Sequence, residues 1–323
     1  MEKITVIISF LNEEENLKLA EELLYKPLSV NKFKYEIIFV NDGSTDGSEK
    51  VLRSIDQNKY PNITSKIIRL SKNFGSHAAI FSGIKNSTGD YLTVLSGDFQ
   101  DNASVINKMY EESIKGFDIV FPLRDKSGQN MLVRLFSNMY ASLIRKIAIK
   151  NYPNKNFDLF FINRKAADHV IETYEINTSL FLDIMNIGFR QSFIHYEREN
   201  RKSGKSKWTF SKKVKLMIDS VIGFSYTPIR LVTLVGFIFL MTGIIWSLII
   251  VLRKILFNDI AQGWTLMSSI LFLGFGITNL SLGIIAEYLW RTLDASRNRP
   301  LYIIDEIVDL SNDDSKLNKN QNY

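Results

Sequence analysis

Cysteine is missing from all 323 residues, which excludes disulfides, thiolate nucleophiles and thiolate-held metals. No Gly-x-Gly-x-x-Gly and no Gly-Lys-Ser follows the first apolar run, so a dinucleotide or ATP phosphate cradle is not expected. The opening Met-Glu-Lys-Ile-Thr-Val-Ile-Ile-Ser lacks the charged-then-apolar pattern of a secretory signal and reads as a strand. RNA- or DNA-binding motifs studded with aromatics are absent too, so the net charge of +6 does not point to nucleic acid. Charge itself is missing from two stretches, 22 residues from Leu231 to Leu252 and 24 from Gly263 to Ala286.

At about 1.5 Å per helical residue, either stretch is long enough for a hydrocarbon core about 30 Å thick, for which about 20 apolar residues suffice. Two buried helices of a soluble core are the other reading, but soluble helices usually keep a polar stripe. The ten residues between the stretches, Arg253 to Gln262, make a tight return, so a transmembrane hairpin is expected. Eight Lys or Arg fall between Arg198 and Lys215, and Arg291, Arg297 and Arg299 follow the second stretch. The return holds only Arg253 and Lys254. That asymmetry predicts a multi-pass protein of the inner (plasma) membrane with both flanks cytoplasmic. Lys212 to Phe224, with Val214, Met217, Ile218, Val221 and Ile222 on one side, reads as an interfacial amphipathic helix. The expected organisation is a cytoplasmic domain over residues 1–210, a juxtamembrane helix over 211–228, the hairpin over 229–289 and a cytoplasmic tail over 290–323. The last dozen residues have the composition of a disordered end.

Before the hairpin, short β-rich runs alternate with amphipathic stretches of helical length. Strands are expected over Ile4–Ser9, Tyr35–Val40, Lys66–Leu70, Tyr91–Ser96 and Asp118–Phe121. Helices are expected near Glu13–Tyr25, Gly47–Asn58, His77–Asn86 and Ser104–Lys115. Such alternation predicts an α/β fold, a mostly parallel sheet with helices on both faces.

Ligands of open α/β sheets sit outside the carboxyl ends of the strands, and polar residues cluster there. Strand one runs into Asn12-Glu13-Glu14-Glu15, strand two into Asn41-Asp42-Gly43-Ser44-Thr45-Asp46-Gly47, strand four into Ser96-Gly97-Asp98-Phe99-Gln100-Asp101. Three acidic clusters at one edge repel one another unless a cation or a donor-rich ligand lies among them. Helix N-capping is the competing explanation, and for Ser44, Thr45 and Asp46 it stands level with ligand contact. Capping does not require Asp98 together with Gln100. A nucleotide whose diphosphate is held through a carboxylate-bound metal fits these clusters.

The ordered set F-L-N-E-E-E-N-L, V-N-D-G-S-T-D-G-S, L-S-K-N-F-G and L-S-G-D-F-Q-D resembles the family-2 glycosyltransferases of GT-A fold. With F-D-L-F-F-I-N-R, R-K-S-G-K-S-K-W and the hairpin, the chain is similar to one subgroup, the polyprenyl-phosphate glycosyltransferases. These include bactoprenol glucosyltransferases and dolichol-phosphate mannose synthases. The resemblance implies donor contacts for Glu13, Asp42, Ser44, Lys72 and Ser96. It implies a Mg2+ or Mn2+ site at Asp98 and Gln100, with Asp98 essential to catalysis, and a base at Asp158. Arg124, Arg134 and Ser137 resemble the acceptor-phosphate pocket. Arg201, Lys205, Ser206 and Lys207 fall in the basic loop, placed to grip the donor diphosphate or the lipid phosphate. Two bland readings stay open: attraction of that loop to anionic lipid, about 1 kcal/mol per charge, and pairing of Asp158 with Arg164 or another cation.

Three departures from the family pattern matter. Ser96 stands where many members have the first Asp of Asp-x-Asp, Asn102-Ala103 replaces a Pro-Pro, and Ser9 and Leu11 replace Pro and Tyr. The resemblance implies inverting transfer of one sugar, UDP-glucose before UDP-N-acetylglucosamine, to a polyprenyl phosphate such as undecaprenyl phosphate. Implied partners are a homo-oligomer, a downstream flippase and an extracytoplasmic glycosyltransferase. A processive polysaccharide synthase is disfavoured, because its Gln-x-x-Arg-Trp and extra spans are absent. A non-catalytic nucleotide-sugar sensor or assembly subunit is the alternative that Ser96 raises.

Overall fold

The computed structural model describes residues 2–124, 141–142, 144–146, 149, 152–153, 157–174, 179–196, 263–296 and 300–311, with scattered positions between 234 and 256. The chain divides into two compact units, Met1–Met217 with Pro300–Tyr323, and Ile218–Arg299.

The first unit is built on an eight-stranded sheet. Its strands are β1 (Lys3–Phe10), β2 (Lys34–Asn41), β3 (Ile63–Leu70), β4 (Tyr91–Ser96), β5 (Ile119–Arg124), β6 (Phe161–Asn163), β7 (Gln191–Tyr196) and β8 (Ile304–Asp309), in the order β7-β5-β6-β4-β1-β2-β3-β8. Pairings are parallel among β4, β1, β2 and β3 and between β5 and β7; β6 and β8 run antiparallel to their neighbours. The mostly parallel α/β sheet expected from the alternation is what forms. In β1 and β2 nearly every side chain is buried, as in parallel strands covered on both faces, which is why they read as continuous apolar runs.

Five α-helices precede β5: α1 (Glu14–Leu17), α2 (Lys26–Ser29), α3 (Ser48–Arg53), α4 (Ser76–Lys85) and α5 (Val105–Ser113). The path β1→β2→β3 moves one way along the sheet and β3→β4 crosses back past β1. Right-handed crossovers therefore put the first helices on one face and α4 on the other. The single helix expected over Glu13–Tyr25 is corrected to α1, a π segment over Glu21–Tyr25, and α2. Pro27 lies in the first turn of α2 and has no N–H to give, and the Lys26 N–H bonds back to Glu21 instead. Two helices follow β6, α6 (Arg164–Thr173) and α7 (Leu180–Asn186); Asn163 caps α6 by accepting from the Ala166 N–H at 2.9 Å.

Within the segment expected as the tail, 290–323, β8 forms an edge strand of the first unit. Arg69 fastens it, donating to Asp305 Oδ2 at 2.9 Å and pairing with Glu306. Backbone bonds from Ser71 to Ile303 (3.0 Å) and from Leu310 to Ser65 (2.9 Å) extend the ladder at both ends. At the amino edge of the sheet Glu36 is buried. Its carboxylate accepts from the Thr5 hydroxyl (2.7 Å), the Thr88 N–H (2.8 Å) and Lys66 Nζ (3.1 Å).

In the second unit α8 (Trp264–Ser296) is one continuous helix of 33 residues over the second uncharged stretch. Met267, Leu271, Phe275, Leu282 and Leu289 are exposed along it. Counted over the described residues, no helix is long and apolar enough to cross a membrane. The first uncharged stretch lies largely outside the described residues, as do the amphipathic segment 212–224 and the disordered end expected after residue 311.

Candidate active site

Because β4, β1 and β2 are adjacent, the three polar clusters lie side by side, with Ser96 opposite Ser9 and Asn41 opposite Phe10. The chain leaves β1 toward β2 on one side and β4 toward β5–β7 on the other. The β1/β4 boundary is thus the switch point at which open α/β sheets bind ligands.

The first two clusters are stapled to each other. The Asn12 N–H donates to Ser44 Oγ (2.9 Å), and the Thr45 N–H donates to Asn12 Oδ1 (2.8 Å). The Glu13 N–H donates to Ser48 Oγ (3.0 Å), and the Gly47 N–H to Glu14 Oε2 (3.0 Å). Gly47 is the N-cap of α3 and no side chain caps that helix, so capping is not the role of Ser44 or Thr45; only Asp46 reaches a first-turn N–H, that of Ser48 at 3.1 Å. The Glu13 carboxylate accepts from Asn16 Nδ2 at 2.6 Å, which fixes it at the mouth of β1.

Asp42 is buried, and its two oxygens accept from the N–H groups of Phe74 (2.8 Å) and Gly75 (3.0 Å). Burial pushes its carboxyl upward from 3.8, and those two N–H groups offset the rise only in part. A carboxylate in this condition gains from any further donor, such as a ribose hydroxyl or a base N–H. The same loop presses Lys72 against Gly43: a Cβ at Gly43 would lie 2.7 Å from the Lys72 carbonyl carbon, and φ is +79°. Gly43→Ala is accordingly expected to cost about 1–3 kcal/mol, from left-handed strain and the backbone clash. A lowered thermal unfolding temperature checks this.

After β4 the backbone turns sharply. The Phe99 N–H bonds to the Ser96 carbonyl (3.0 Å), Phe99 has φ +48°, and the Gln100 N–H donates to Asp98 Oδ1 (3.3 Å). Gly97 permits the turn, since a Cβ there would meet the Ser9 carbonyl oxygen at 2.9 Å. Asp98 and Asp101 are both buried. Among the described residues no three His, Asp or Glu side chains gather closely enough to cage a metal. Mg2+ does not need such a cage; it binds through one or two carboxylates together with substrate phosphates and water. The donor set here, one buried carboxylate with an amide oxygen at Gln100 and a hydroxyl at Ser96, fits an ion that arrives with a diphosphate.

Across the switch point Arg124 ends β5 and pairs with Asp158. Asp158 thus has a cation beside it, and the cation is Arg124. Arg164 is engaged elsewhere, donating to the Gly89 carbonyl (2.6 Å) and Ser87 Oγ (3.1 Å). Arg124 is also the register partner of Tyr196 on β7, whose hydroxyl donates to Asp101 Oδ1 at 2.9 Å. Sequence reasoning did not select Tyr196; the only signal was a six-residue β-rich run before the basic loop. Arg134, Ser137, Arg201, Lys205, Ser206 and Lys207 lie outside the described residues. The structure thus brings Glu13, Asp42, Ser44, Lys72, Ser96, Asp98 and Gln100 to the ends of four neighbouring strands, β4, β1, β2 and β3, with Arg124 and Asp158 on the β5 side.

Residues 5–171 match the family model for glycosyl transferase family 2. CsbB of Bacillus subtilis, named as a candidate glycosyltransferase, is 34% identical over 94% of this chain and 91% of its own. The undecaprenyl-phosphate 4-deoxy-4-formamido-L-arabinose transferase of Proteus mirabilis is 29% identical over 99% of this chain and 97% of its own. A prophage bactoprenol glucosyl transferase homolog of Escherichia coli is 27% identical over 94% and 99%. Half of the chain matches the family model and nearly all of it aligns with these relatives, over a sheet whose neighbouring strand ends carry polar clusters: the chain belongs to glycosyl transferase family 2 and is a glycosyltransferase.

Proposed function

We infer that the enzyme moves a single sugar from a nucleotide-diphosphate sugar to polyprenyl phosphate, with inversion at the anomeric carbon, and so supplies a lipid-linked sugar for modification of cell-envelope glycans. The observation that carries this is the placement of Asp42 and Asp98 at the carboxyl ends of β2 and β4, with the Arg124–Asp158 pair at the end of β5. The names of the relatives from Proteus mirabilis and Escherichia coli support a polyprenyl acceptor. They carry different sugars; UDP-glucose is the first candidate here, by resemblance to the bactoprenol glucosyltransferases, and UDP-N-acetylglucosamine the second.

Glu13 and Asp42 accept hydrogen bonds from the nucleoside, and Ser44, Lys72 and Ser96 complete the donor pocket. A divalent cation, Mg2+ or Mn2+, held by Asp98 and Gln100 would neutralise the departing diphosphate. A phosphate monoester has its second pKa near about 6, so the acceptor oxygen is already anionic at neutral pH. Positioning of two anionic phosphates then dominates over proton removal. Arg124, with Arg134 and Ser137, positions the acceptor phosphate; Arg201, Lys205, Ser206 and Lys207 hold whichever phosphate emerges at the bilayer surface. Asp158 orients Arg124 rather than acting as a base.

The lipid acceptor gives the second unit its purpose. Leu231–Leu252 and Gly263–Ala286 are proposed to span the inner membrane as a hairpin, with the catalytic unit and the tail cytoplasmic. Large apolar side chains exposed along α8 call for an apolar surround. Residues on either side of Ile218–Arg299 belong to one folded unit, so an intervening segment that crosses a membrane does so an even number of times. A homo-oligomer, a flippase and an extracytoplasmic transferase acting on the product complete the proposed context.

The test is incorporation of labelled sugar into organic-extractable lipid, using membranes that contain the enzyme, undecaprenyl phosphate and a panel of UDP- and GDP-sugars. One UDP-hexose is expected to give a single-sugar lipid only when Mg2+ or Mn2+ is present. A long polymer, or no transfer from any donor, would overturn the reading.

A further inference from the structure

We propose that Tyr196 is a positioning residue that joins the donor side of the site to its acceptor side, giving its one phenolic proton to Asp101 while its oxygen accepts from Arg124. The proposal rests on the glycosyl-transfer reading above. Tyr196 and Asp101 are 6% and 4% exposed, and their 2.9 Å bond lies away from water. A phenol has a single proton, so with that proton on Asp101 its hydrogen bond with Arg124 must run from the guanidinium to the phenol oxygen. Burial, and then the Asp101 charge, push the Tyr196 phenol upward, so it remains a donor across the working pH range.

The consequence is a continuous chain, Asp101–Tyr196–Arg124–Asp158, across the strand ends. Asp101 is three residues beyond Asp98, on the tight turn that also carries Gln100. A diphosphate that draws on Asp98 and Gln100 therefore shifts one end of the chain, and an acceptor phosphate on Arg124 shifts the other. Tyr196 touches neither substrate. Its role is to make occupancy of one side felt by the other.

Binding coupling tests this apart from turnover. The affinity of the full-length enzyme in nanodiscs for undecaprenyl phosphate is measured by calorimetry with and without saturating UDP and Mn2+. In the wild type, UDP–Mn2+ is expected to change that affinity about fivefold, within the usual range of site-to-site coupling. In Tyr196→Phe the change is expected to fall below about 1.5-fold, while UDP–Mn2+ affinity stays close to wild type and the melting temperature falls by only a few degrees, the cost of a buried Asp101 without its phenol donor. Asp101→Asn is expected to lose the same coupling, and the double variant to lose no more than either single one. Equal coupling in wild type and Tyr196→Phe, or none in the wild type, overturns the proposal. A wild type that transfers no sugar sinks the reaction assignment instead, and the binding result still decides the role of Tyr196.

Discussion

Asp98→Ala is expected to cut kcat by about 10³-fold, a loss on the scale of several kcal/mol of charge stabilisation in a water-poor site. Asp158→Asn, by contrast, is expected to cost about tenfold. The difference follows from where each carboxylate stands. Asp98 is 5% exposed on the turn after β4, with its Oδ1 already shaping that turn through the Gln100 N–H, so its removal takes away both charge and geometry. Asp158 is paired with Arg124, and an asparagine there still accepts from the guanidinium. A base is also little needed, since the acceptor phosphate is ionised at neutral pH. Steady-state rates of both variants at saturating donor and undecaprenyl phosphate measure the order. A larger loss in Asp158→Asn would make it the base and end the positioning view.

The central strands were legible because β1, β2 and β4 are buried on both faces and so read as apolar runs that no other element explains. Their polar ends were legible for the complementary reason: Asn12–Glu15, Asn41–Asp46 and Ser96–Asp101 have no place in a core. Partner choice was not legible. Nothing local in Ser44 says that its hydroxyl meets the Asn12 N–H, 32 residues away, nor does Asp42 announce the N–H groups of Phe74 and Gly75. The short or charged strands were hidden for energetic reasons. β6 has three residues, and β8, Ile-Asp-Glu-Ile-Val-Asp, becomes a strand because Arg69 pairs with its acidic residues from 236 and 237 positions away. Tyr196 reads as one more strand aromatic until Asp101 and Arg124 are seen to converge on it.

Glu36→Ala should be the most destabilising single change at the far edge of the sheet, by about 3–5 kcal/mol, the usual cost of breaking a buried ion pair from one side. The carboxylate is 7% exposed and Lys66 22%, so solvent screens the pair little. Truncation leaves the Lys66 ammonium its bond to the Asn86 carbonyl (2.6 Å) but no counter-charge, and it takes the acceptor from the Thr5 hydroxyl and the Thr88 N–H. At about 2–4 °C per kcal/mol for a unit of this size, the melting temperature should drop by about 10 °C. Glu36→Gln keeps an acceptor and the volume, and should lose about half as much. The pH dependence has a definite sign. Burial works to raise the Glu36 pKa, but the Thr5 hydroxyl, the Thr88 N–H and Lys66 outweigh it and hold the group below 4.5. A depressed carboxylate contributes stability that is complete above its unfolded value and fades as pH falls through the folded one. The gap between wild type and Glu36→Gln should therefore be constant at neutral pH and should narrow as pH falls below 4.5. Denaturant titrations of the two proteins at pH 7 and pH 3.5 measure it. A gap that widened on acidification would mean that Glu36 is held protonated in the folded chain, and the pairing with Lys66 would then carry none of the stability assigned to it.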